Sequence, residues 1–291
     1  MAKAATQLRV TQPAISKAIG DLEDAVGARL FDRSPAGVEP TVYGHALLKC
    51  GVAVFDELRQ GVQTLENLAD PSAGELRIGC QQTLAQTVLP YIVEQLCRRY
   101  PRIDFDVTQL VSPNLEFPEL RQRTLDLVLT RLAGPVASEK LGDDLKVEIL
   151  LDDRLFIVAG EKSPWVRRRK IDLAELANEP WILRPPESWQ WQFMIEAFRG
   201  IGLQMPRPRV VTYSVPLTHS LLASGKFITL MDGLTPRLEG KRLGVRPLPV
   251  AVPPWPWPIG VVMLKNRTVS PVLELFLKTV RSFVRDLSAK P

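Results

Sequence analysis

Metal-binding and disulfide-forming residues are scarce in this chain of 291 residues. It contains two histidines and three cysteines, and Cys50, Cys80 and Cys97 lie far apart in the sequence. Zinc sites need closely spaced cysteine and histidine ligands, and a disulfide framework needs several cysteine pairs. The sequence therefore predicts no metal and no other cofactor, and it predicts that each cysteine is a small buried side chain.

Long apolar segments and the common catalytic signatures are also missing. The longest apolar runs have the length of a strand, far short of the roughly 20 residues that span a membrane. Polar residues follow Met1 at positions where a signal peptide would be apolar. The sequence contains no P-loop, no HExxH, no GxSxG and no GxGxxG that follows a strand. These absences predict a cytoplasmic protein that is neither a membrane protein nor an enzyme.

A small positive charge gives only weak support for nucleic-acid binding. The formal net charge is +5, but residues 1–50 carry six Lys or Arg and five Asp or Glu. The basic run RRRK at residues 167–170 lies far from the N terminus and is typical of a solvated surface. A DNA-binding function therefore has to be argued from the residue pattern rather than from the charge.

The segment 10–33, VTQPAISKAIGDLEDAVGARLFDR, has the pattern of a capped helix. Thr11 is a good N-cap, Pro13 suits the first helical turn, and Gly27 ends the helix. Apolar side chains recur at steps of three and four residues, which predicts that one face of the helix packs against a core. These side chains are Ile15, Ile19, Leu22 and Val26. The polar residues on the other side are left free to bind.

Short elements on both sides of this helix complete a winged helix-turn-helix. Ala4 and Ala5 belong to a small-residue helix that ends in a turn before Thr11. The sequence SPAG at residues 34–37 predicts a turn between two short strands. Such a fold places its second helix in the major groove of DNA.

These residues resemble the DNA-binding domain of the LysR-type transcriptional regulators. The family has a double-Ala helix, TQPAxSxxI, LExxxGxxLF.R and a T..G entry to a long helix, and residues 4–48 follow this order without a gap. The resemblance implies a sequence-specific regulator that a small-molecule effector modulates. It also implies one helix before Ala4, so about twenty residues are expected to be missing ahead of Met1, through a misplaced start codon or a truncation.

The resemblance assigns the DNA contacts to the helix at residues 12–25 and its surroundings. Polar side chains of this helix are expected to reach base edges or phosphates of double-stranded operator DNA, and the proline is expected to contact a thymine methyl group. Residues before the helix and on the wing are expected to contact the DNA backbone or the minor groove. The expected contact residues are Lys3, Thr11, Gln12, Pro13, Ser16, Lys17 and Arg33.

A continuous helix is predicted for residues 42–68, followed by a linker at residues 70–74. Apolar residues repeat along it with the spacing of a coiled-coil seam. The repeating residues are Leu48, Phe55, Val62 and Ala69, with Leu58 and Leu65 between them. This stripe either covers its own domain or pairs with a second copy, and self-pairing is favoured because no second long helix lies nearby. The resemblance also implies a homodimer or a homotetramer.

From Glu75 onward the pattern changes to strands that alternate with helices, which predicts an α/β fold with parallel sheets. A helix is predicted for residues 84–99, and the last helix, opened by Ser270 and Pro271, is expected to fold back on the first lobe. The order of ELRIG, LP to YP, LDL and LLASG is similar to the effector domain of the same family. The resemblance implies two lobes built like a periplasmic solute-binding protein.

The chain as a whole is therefore predicted to be an α/β protein with an all-α, winged-helix N-terminal part. The expected domains are a DNA-binding domain at 1–41, a linker or dimerisation helix at 42–73 and an effector-binding domain at 74–291. Within the last domain, lobe I is expected at 74–160 and 265–291 and lobe II at 161–264. An enzyme and a protein that only binds solutes are the alternatives, and the helix-turn-helix argues against both.

Candidate effector contacts follow from the cleft between two such lobes. Ligands bind there where strands end and helices begin, because helix N-termini offer free N–H groups. A small carboxylate or a sugar acid is the favoured effector, with aromatic compounds and sugars as alternatives. The expected contact residues are Gln81, Gln82, Thr83, Ser112, Thr130, Arg131, Ser188, Trp189, Ser214 and Val215.

Several of these residues also have a structural alternative. Thr83 and Ser214 have the positions of helix caps, and Arg131 has the alternative of pairing with a carboxylate of its own lobe. Trp189 and Trp191 are typical of core packing as well as of ligand contact. The sequence alone leaves these alternatives open.

Overall fold

The computed structural model of the protein describes residues 2–34, 37–69, 73–110, 116–132, 141–255 and 257–289. The chain divides into two compact units, Met1–Val62 and Gln63–Pro291. Within the described ranges, no helix combines the length and the apolar character needed to cross a membrane.

The first unit holds two short helices, a hairpin and the first part of a long helix. In chain order these are α1 (Ala2–Leu8), α2 (Gln12–Val26), β1 (Phe31–Ser34), β2 (Gly37–Pro40) and α3 (Val42–Ala69). The two strands pair antiparallel, and the predicted turn residues 35–36 between them lie outside the described residues. The predicted winged helix-turn-helix and the long helix that follows it are confirmed.

The ends of α2 form as its sequence predicts. The side chain of Thr11 accepts a hydrogen bond from the backbone N–H of Ala14 at 3.4 Å, and this satisfies one of the free donors of the first turn. At the other end Gly27 adopts a left-handed conformation with φ of 68°, which a residue with a side chain would adopt only with strain.

Two polar side chains tie the wing to the helices. The carboxylate of Glu23 accepts hydrogen bonds from the backbone N–H groups of Leu30 at 2.7 Å and Phe31 at 3.1 Å. The hydroxyl of Thr41 donates to the carbonyl of Arg29 at 2.7 Å. The start of β1 is therefore bonded both to α2 and to the residue before α3.

A glycine allows α3 to begin close against the strand. A Cβ atom at Gly44 would lie 2.1 Å from the carbonyl oxygen of Leu30, which is a severe clash with backbone. The backbone N–H of Gly44 donates to the side chain of Thr41 at 3.1 Å. The T..G pair of the sequence is therefore required by this close approach.

The second unit contains the remaining elements, most of them in strand-helix alternation. They are β3 (Ala73–Gln81), α4 (Gln82–Thr87), α5 (Leu89–Arg99), β4 (Arg102–Leu110), α6 (Pro118–Arg121), β5 (Leu127–Arg131), β6 (Leu145–Asp153), β7 (Leu155–Gly160), β8 (Trp181–Leu183), α7 (Trp189–Gly200), β9 (Val210–Val211), α8 (Val215–Ala223), β10 (Ile228–Asp232), α9 (Leu234–Leu243), β11 (Val245–Pro247), β12 (Trp257–Leu264) and α10 (Pro271–Ala289).

The strands form two five-stranded sheets, one in each lobe. The sheet of lobe I has the order β4-β3-β5-β12-β6, and the sheet of lobe II has the order β11-β7-β10-β8-β9. The predicted lobe boundaries differ from this arrangement at two strands. β7 pairs with β10 and β11 in lobe II, and β12 pairs with β5 and β6 in lobe I, because the chain changes sheets between β6 and β7 and again before β12.

Both sheets are mixed, whereas the sequence predicted parallel sheets. β3 pairs parallel with β4 and β5, but β12 runs antiparallel to β5 and β6. In lobe II, β8 pairs parallel with β9 and β10, but β7 runs antiparallel to β10. The antiparallel strands β7 and β12 each enter their sheet directly from the other lobe. A parallel pair needs a crossover helix that reverses the chain, and neither strand is preceded by such a helix from its own lobe.

The predicted helix at residues 84–99 is two helices. α4 and α5 meet at Val88, the C-cap of α4. Pro90 lies two residues further on and has no N–H to donate to the preceding turn, so the break lies where a continuous helix would lose a hydrogen bond.

The last helix packs on lobe I, as the sequence predicts. Phe276 and Val280 of α10 are fully buried in one cluster with Ile78 of β3 and Leu96 of α5. An ion pair between Arg281 and Glu148 of β6, with both contacts at 2.6 Å, reinforces this docking. The C-terminal helix therefore returns to the lobe in which the domain begins.

The prediction that all three cysteines are buried is wrong for two of them. Cys80 of β3 is fully buried, but Cys50 of α3 and Cys97 of α5 are exposed.

Candidate DNA-binding face and effector cavity

Most of the predicted DNA contacts lie on the surface, at the start of α2 and, for Lys3, on α1. The exposed residues are Lys3, Thr11, Gln12, Pro13 and Lys17, and Ser16 is half-buried. Gln12 and Ser16, like Pro13 and Lys17, are four residues apart and so share one side of the helix. The side chain of Arg33 lies outside the described residues, although its backbone belongs to β1. Amide, hydroxyl and ammonium groups on one helix face have the chemistry that contacts bases and phosphates.

The apolar face of α2 is only partly covered. Throughout α2, all of which the structure describes, no side chain is buried. Ile15 and Ile19 are half-buried, while Leu22 remains 44% exposed. The packing predicted for this face is therefore incomplete within the described residues.

The heptad residues of α3 form an exposed apolar stripe. Phe55 is 75% exposed and Leu65 is 68% exposed, and Leu48, Leu58 and Val62 are also exposed. The side chain of Ala69 lies outside the described residues. Large apolar side chains that are exposed at regular spacing along one helix mark a surface suited to a partner helix.

A cavity of about 330 Å³ lies in the second unit, where strands of both sheets end. Lobe I contributes the ends of β3, β4 and β5, and lobe II contributes the residues around the starts of α7 and α8. The lining residues are Gln81, Gln82, Thr83, Gln109, Leu110, Arg131, Arg184, Ser188, Trp189, Gln190, Tyr213, Ser214, Asp232 and Trp257. The volume is at the lower end of the range of small-molecule sites.

Seven of the ten predicted effector contacts line this cavity. They are Gln81, Gln82, Thr83, Arg131, Ser188, Trp189 and Ser214. Val215 lines a small adjoining cavity, Thr130 lines a third one beside Phe117, and Ser112 lies outside the described residues.

Sequence reasoning missed other lining residues, among them Arg184 and Asp232. Arg184 follows β8 by one residue, and Asp232 is the last residue of β10. The rule that ligands bind at the carboxyl ends of strands would have selected both.

Arg131 joins the two lobes through a buried ion-pair network. It is 4% exposed, and its Nη1 donates to Asp153 at 2.6 Å, while its Nη2 lies 2.9 Å from Asp232. The other carboxylate oxygen of Asp153 accepts from the backbone N–H groups of Arg154 at 2.7 Å and Gly233 at 3.1 Å. Asp153 and Gly233 lie where the chain leaves a sheet, so the network holds the two lobes at their junction.

Asp153 and Asp232 share one guanidinium, and the ionisation of Asp153 is perturbed. Burial raises the pKa of Asp153, and the neighbouring charge of Asp232 raises it further, against the opposing effect of Arg131. Burial likewise raises the pKa of the Cys80 thiol to about 12, so this side chain is not a reactive thiolate.

The serines at the cavity are helix caps as well as lining residues. Ser188 accepts from the backbone N–H of Trp191 at 3.4 Å, and Ser214 accepts from that of Leu217 at 3.3 Å. The cap position of α4 belongs to Gln81 and not to Thr83, so Thr83 lacks the capping role considered for it. The N-termini of α7 and α8 therefore open toward the cavity with one donor each already satisfied.

Two family models match this chain. The LysR substrate binding domain matches residues 69–285, and the bacterial regulatory helix-turn-helix protein of the lysR family matches residues 1–45. The HTH-type transcriptional regulator YybE of Bacillus subtilis is 29% identical over 282 residues, which cover 96% of this chain and 92% of that protein. The transcriptional dual regulator GltC of the same organism is 25% identical, covering 94% of this chain and 89% of that protein.

Solved structures show the same fold at lower identity. CbnR, a LysR family transcriptional regulator, is 20% identical with a TM-score of 0.57, covering 97% of this chain and 94% of that chain. CbnR complexed with its target DNA is 19% identical with a TM-score of 0.56, covering 97% and 93%. The effector binding domain of QuiR in complex with shikimate is 19% identical with a TM-score of 0.57, covering 74% and 98%.

Since the family models together account for the helix-turn-helix and for most of both lobes, the function class follows from them. The chain belongs to the LysR family, whose members are DNA-binding transcriptional regulators with an effector-binding domain and not enzymes.

Proposed function

We propose that this protein binds an operator sequence as a homo-oligomer in the cytoplasm, and that a small carboxylate or sugar acid in the cavity between the lobes changes this binding. Residues 1–41 bind DNA, residues 42–73 pair two subunits, and residues 74–291 bind the effector. The observation that carries this proposal is the cavity itself, which is lined by polar side chains from both lobes of a LysR-family chain.

The exposed start of α2 supports the DNA-binding part of the proposal. Gln12 has an amide that forms two hydrogen bonds to an adenine edge, and Lys17 supplies a charge for nearby phosphates. Thr11 and Lys3 contact the backbone, Ser16 and Pro13 contact base edges or a thymine methyl group, and Arg33 on the wing contacts phosphate or the minor groove. CbnR, which shares the fold, has been solved with its target DNA.

The apolar stripe of α3 supports the homo-oligomer. In water, a helix with this much exposed apolar surface is stabilised by burial against another helix. A second copy of the same helix is the partner that a symmetric dimer provides. Two helix-turn-helix units would then contact two half-sites of one operator, in a dimer or in a tetramer built from two dimers.

The junction between the lobes supports regulation by the effector. Arg131 links strand ends of both lobes, and the cavity lies beside this link. A ligand that binds the closed lobes more tightly than the open lobes shifts the equilibrium between them. Such coupling typically changes operator affinity by about 1–3 kcal/mol.

The proposal is tested with the full-length protein and a pool of randomised duplexes. Repeated selection recovers the preferred sequence, and fluorescence anisotropy then compares this duplex with a scrambled one at moderate salt, with and without pools of small metabolites. We expect a clear preference for the selected duplex and a change of its affinity in the presence of one pool. Equal binding of the selected and scrambled duplexes would contradict DNA recognition, and no change with any pool would contradict the effector.

A further inference from the structure

Two arginines line the cavity, and among the described residues only Arg131 is in direct contact with carboxylates. Arg131 contacts both Asp153 and Asp232. Arg184 has no ion pair and no hydrogen bond among the described residues, and its guanidinium lies 6.0 Å from the centre of the Tyr213 ring. Burial lowers the pKa of Arg184, and the charge of Asp232, which is not in direct contact with it, offsets this only in part. A half-buried guanidinium without a direct ion pair is costly, so Arg184 is the group that gains most from an anionic ligand.

Two buried hydrogen-bond donors at the cavity lack an acceptor. Within the described residues, these are the indole Nε1 of Trp257 and the Nε of Arg131. The carboxylate of Asp232, which also lines the cavity, already accepts from the backbone N–H of Thr235 at 2.9 Å and from its hydroxyl. A ligand that supplies acceptor oxygens therefore completes this cavity, and a carboxylate fits the planar fork of an arginine with two parallel bonds.

The walls of the cavity favour a ring on the same ligand. Trp189 and Trp257 contact each other at the cavity wall, and Tyr213 lies beside Arg184. Aromatic faces bind flat apolar groups with little loss of conformational freedom. A volume of about 330 Å³ holds a molecule of roughly ten non-hydrogen atoms, since a water molecule occupies about 30 Å³ in the liquid.

The ion pairs leave one arginine of the cavity for an anionic ligand. Arg131 already contacts two carboxylates, Asp153 and Asp232. Arg184 is therefore the cation that is available for one carboxylate. A second carboxylate on the ligand would find no further arginine among the lining residues that the structure describes.

We propose that the effector is a monocarboxylate on a flat ring, with its carboxylate bound by Arg184 and its ring against Trp189 and Trp257. Arg131 is a positioning residue that holds the lobe junction. This inference rests on the proposed function, because it places the effector in the same cavity.

The test uses isothermal titration calorimetry of the full-length protein with defined probes. Benzoate, 4-hydroxybenzoate and nicotinate have the required ring and single carboxylate. Benzamide lacks the charge, acetate lacks the ring, and phthalate carries a second carboxylate. We expect at least one of the three ring monocarboxylates to bind roughly tenfold or more tightly than benzamide, acetate or phthalate. For benzamide, the reason is the loss of charged hydrogen bonds.

Variants then assign the anion site. Arg184→Met is expected to weaken binding of that probe by roughly tenfold or more, and Arg184→Lys is expected to restore part of it. Arg207→Met removes an exposed arginine of lobe II outside the cavity and serves as the control, with unchanged affinity. Circular dichroism checks that each variant is folded. The comparison of probes on the unaltered protein still tests the ligand class if a variant does not fold.

Three results would overturn the inference. These are no binding of any ring monocarboxylate, equal binding of benzamide, and unchanged affinity in folded Arg184→Met. If another metabolite then alters operator binding, the proposed function survives and only the ligand class is wrong. If benzoate binds through Arg184 but no ligand alters operator binding, the ligand class of the cavity is right and the proposed regulation of DNA binding is wrong.

Discussion

The helix-turn-helix and the two lobes differ in where their stability comes from. In the described part of residues 2–62, the buried apolar side chains are Ala5 and Leu30 alone. In lobe I, by contrast, every residue of β5 is buried, and a continuous cluster joins β3, α5, β12 and α10. The first unit relies on caps, a glycine contact and the carboxylate of Glu23, while the lobes rely on a packed core.

Because of this difference, we expect the helix-turn-helix and the lobes to be sensitive to different kinds of substitution. A part held by local hydrogen bonds is expected to tolerate loss of an apolar side chain better than a packed core does. The function proposed for this part, however, depends on a few exposed side chains. Substitutions in the lobes are therefore expected to act on folding, and those in the first unit on DNA and on subunit pairing.

The largest effect is expected in the core of lobe I. Phe276→Ala removes a fully buried ring of α10 and is expected to lower the free energy of unfolding by about 3–5 kcal/mol. Leu22→Ala in α2, where the side chain is 44% exposed, is the comparison in the first unit. It is expected to lower the free energy of unfolding by well under half as much. Urea denaturation followed by circular dichroism measures both, and equal losses would refute the contrast.

The next effect concerns acid stability of lobe I. Asp126 contacts Arg77 at 2.9 Å and Arg267 at 2.6 Å. Burial opposes ionisation, but the hydrogen bonds from Arg77 and the charges of both arginines outweigh it and lower the pKa of Asp126. A folded pKa below the unfolded value of about 3.9 gives stability that is present above that value and is lost as the pH falls through the folded pKa.

Asp126→Asn is therefore expected to cost about 3 kcal/mol at neutral pH and to flatten the loss of stability below pH ~4. Thermal unfolding from neutral to acidic pH measures this. Glu148→Gln, at a more exposed ion pair, is the control and is expected to have a smaller effect. An unchanged acid profile in Asp126→Asn would show that another carboxylate controls it.

In the first unit, the stripe of α3 is expected to control the oligomer. Phe55→Glu places a charge in the proposed seam and is expected to raise the dimer dissociation constant at least about tenfold, because a buried charge without a partner is costly. Cys50→Glu lies on the same helix off the seam and is expected to leave assembly unchanged. Light scattering after size exclusion measures both, and an intact oligomer in Phe55→Glu would contradict self-pairing through this stripe.

The smallest effects are expected at the DNA contacts. Gln12→Ala is expected to relax preference at one base pair by about 1–3 kcal/mol, whereas Lys3→Ala weakens binding to all sequences alike. Anisotropy titrations with the selected duplex and its single-base variants separate the two. Uniform weakening in Gln12→Ala would remove the base-contact role of this amide.

The sequence predicted the elements whose signals are local. Thr11, Pro13 and Gly27 set the ends of α2 by capping and backbone conformation, and these depend on neighbours within a few residues. The same holds for the last helix, where the apolar spacing selects the face that packs.

Features that depend on distant pairing were predicted poorly. The lobe membership of β7 and β12 depends on which strand each meets after the chain changes sheets, and no local pattern encodes that. For the same reason the sequence could name Arg131 at a strand end but could not show that Asp153 and Asp232 surround it. Arg184 directly follows β8, so its position could have been selected from the sequence, but its lack of a direct ion pair could not.

Gly44 allows a close backbone contact between the start of α3 and the residue before β1. The backbone of α3 at Gly44 lies so close to the carbonyl of Leu30 that not even a methyl group would fit between them. The side chain of Thr41 is hydrogen-bonded to the carbonyl of Arg29 on one side and to the N–H of Gly44 on the other. The wing consequently has little room to swing against the helix that follows it. We therefore expect a rotation of the start of α3 to change the direction of the hairpin as well.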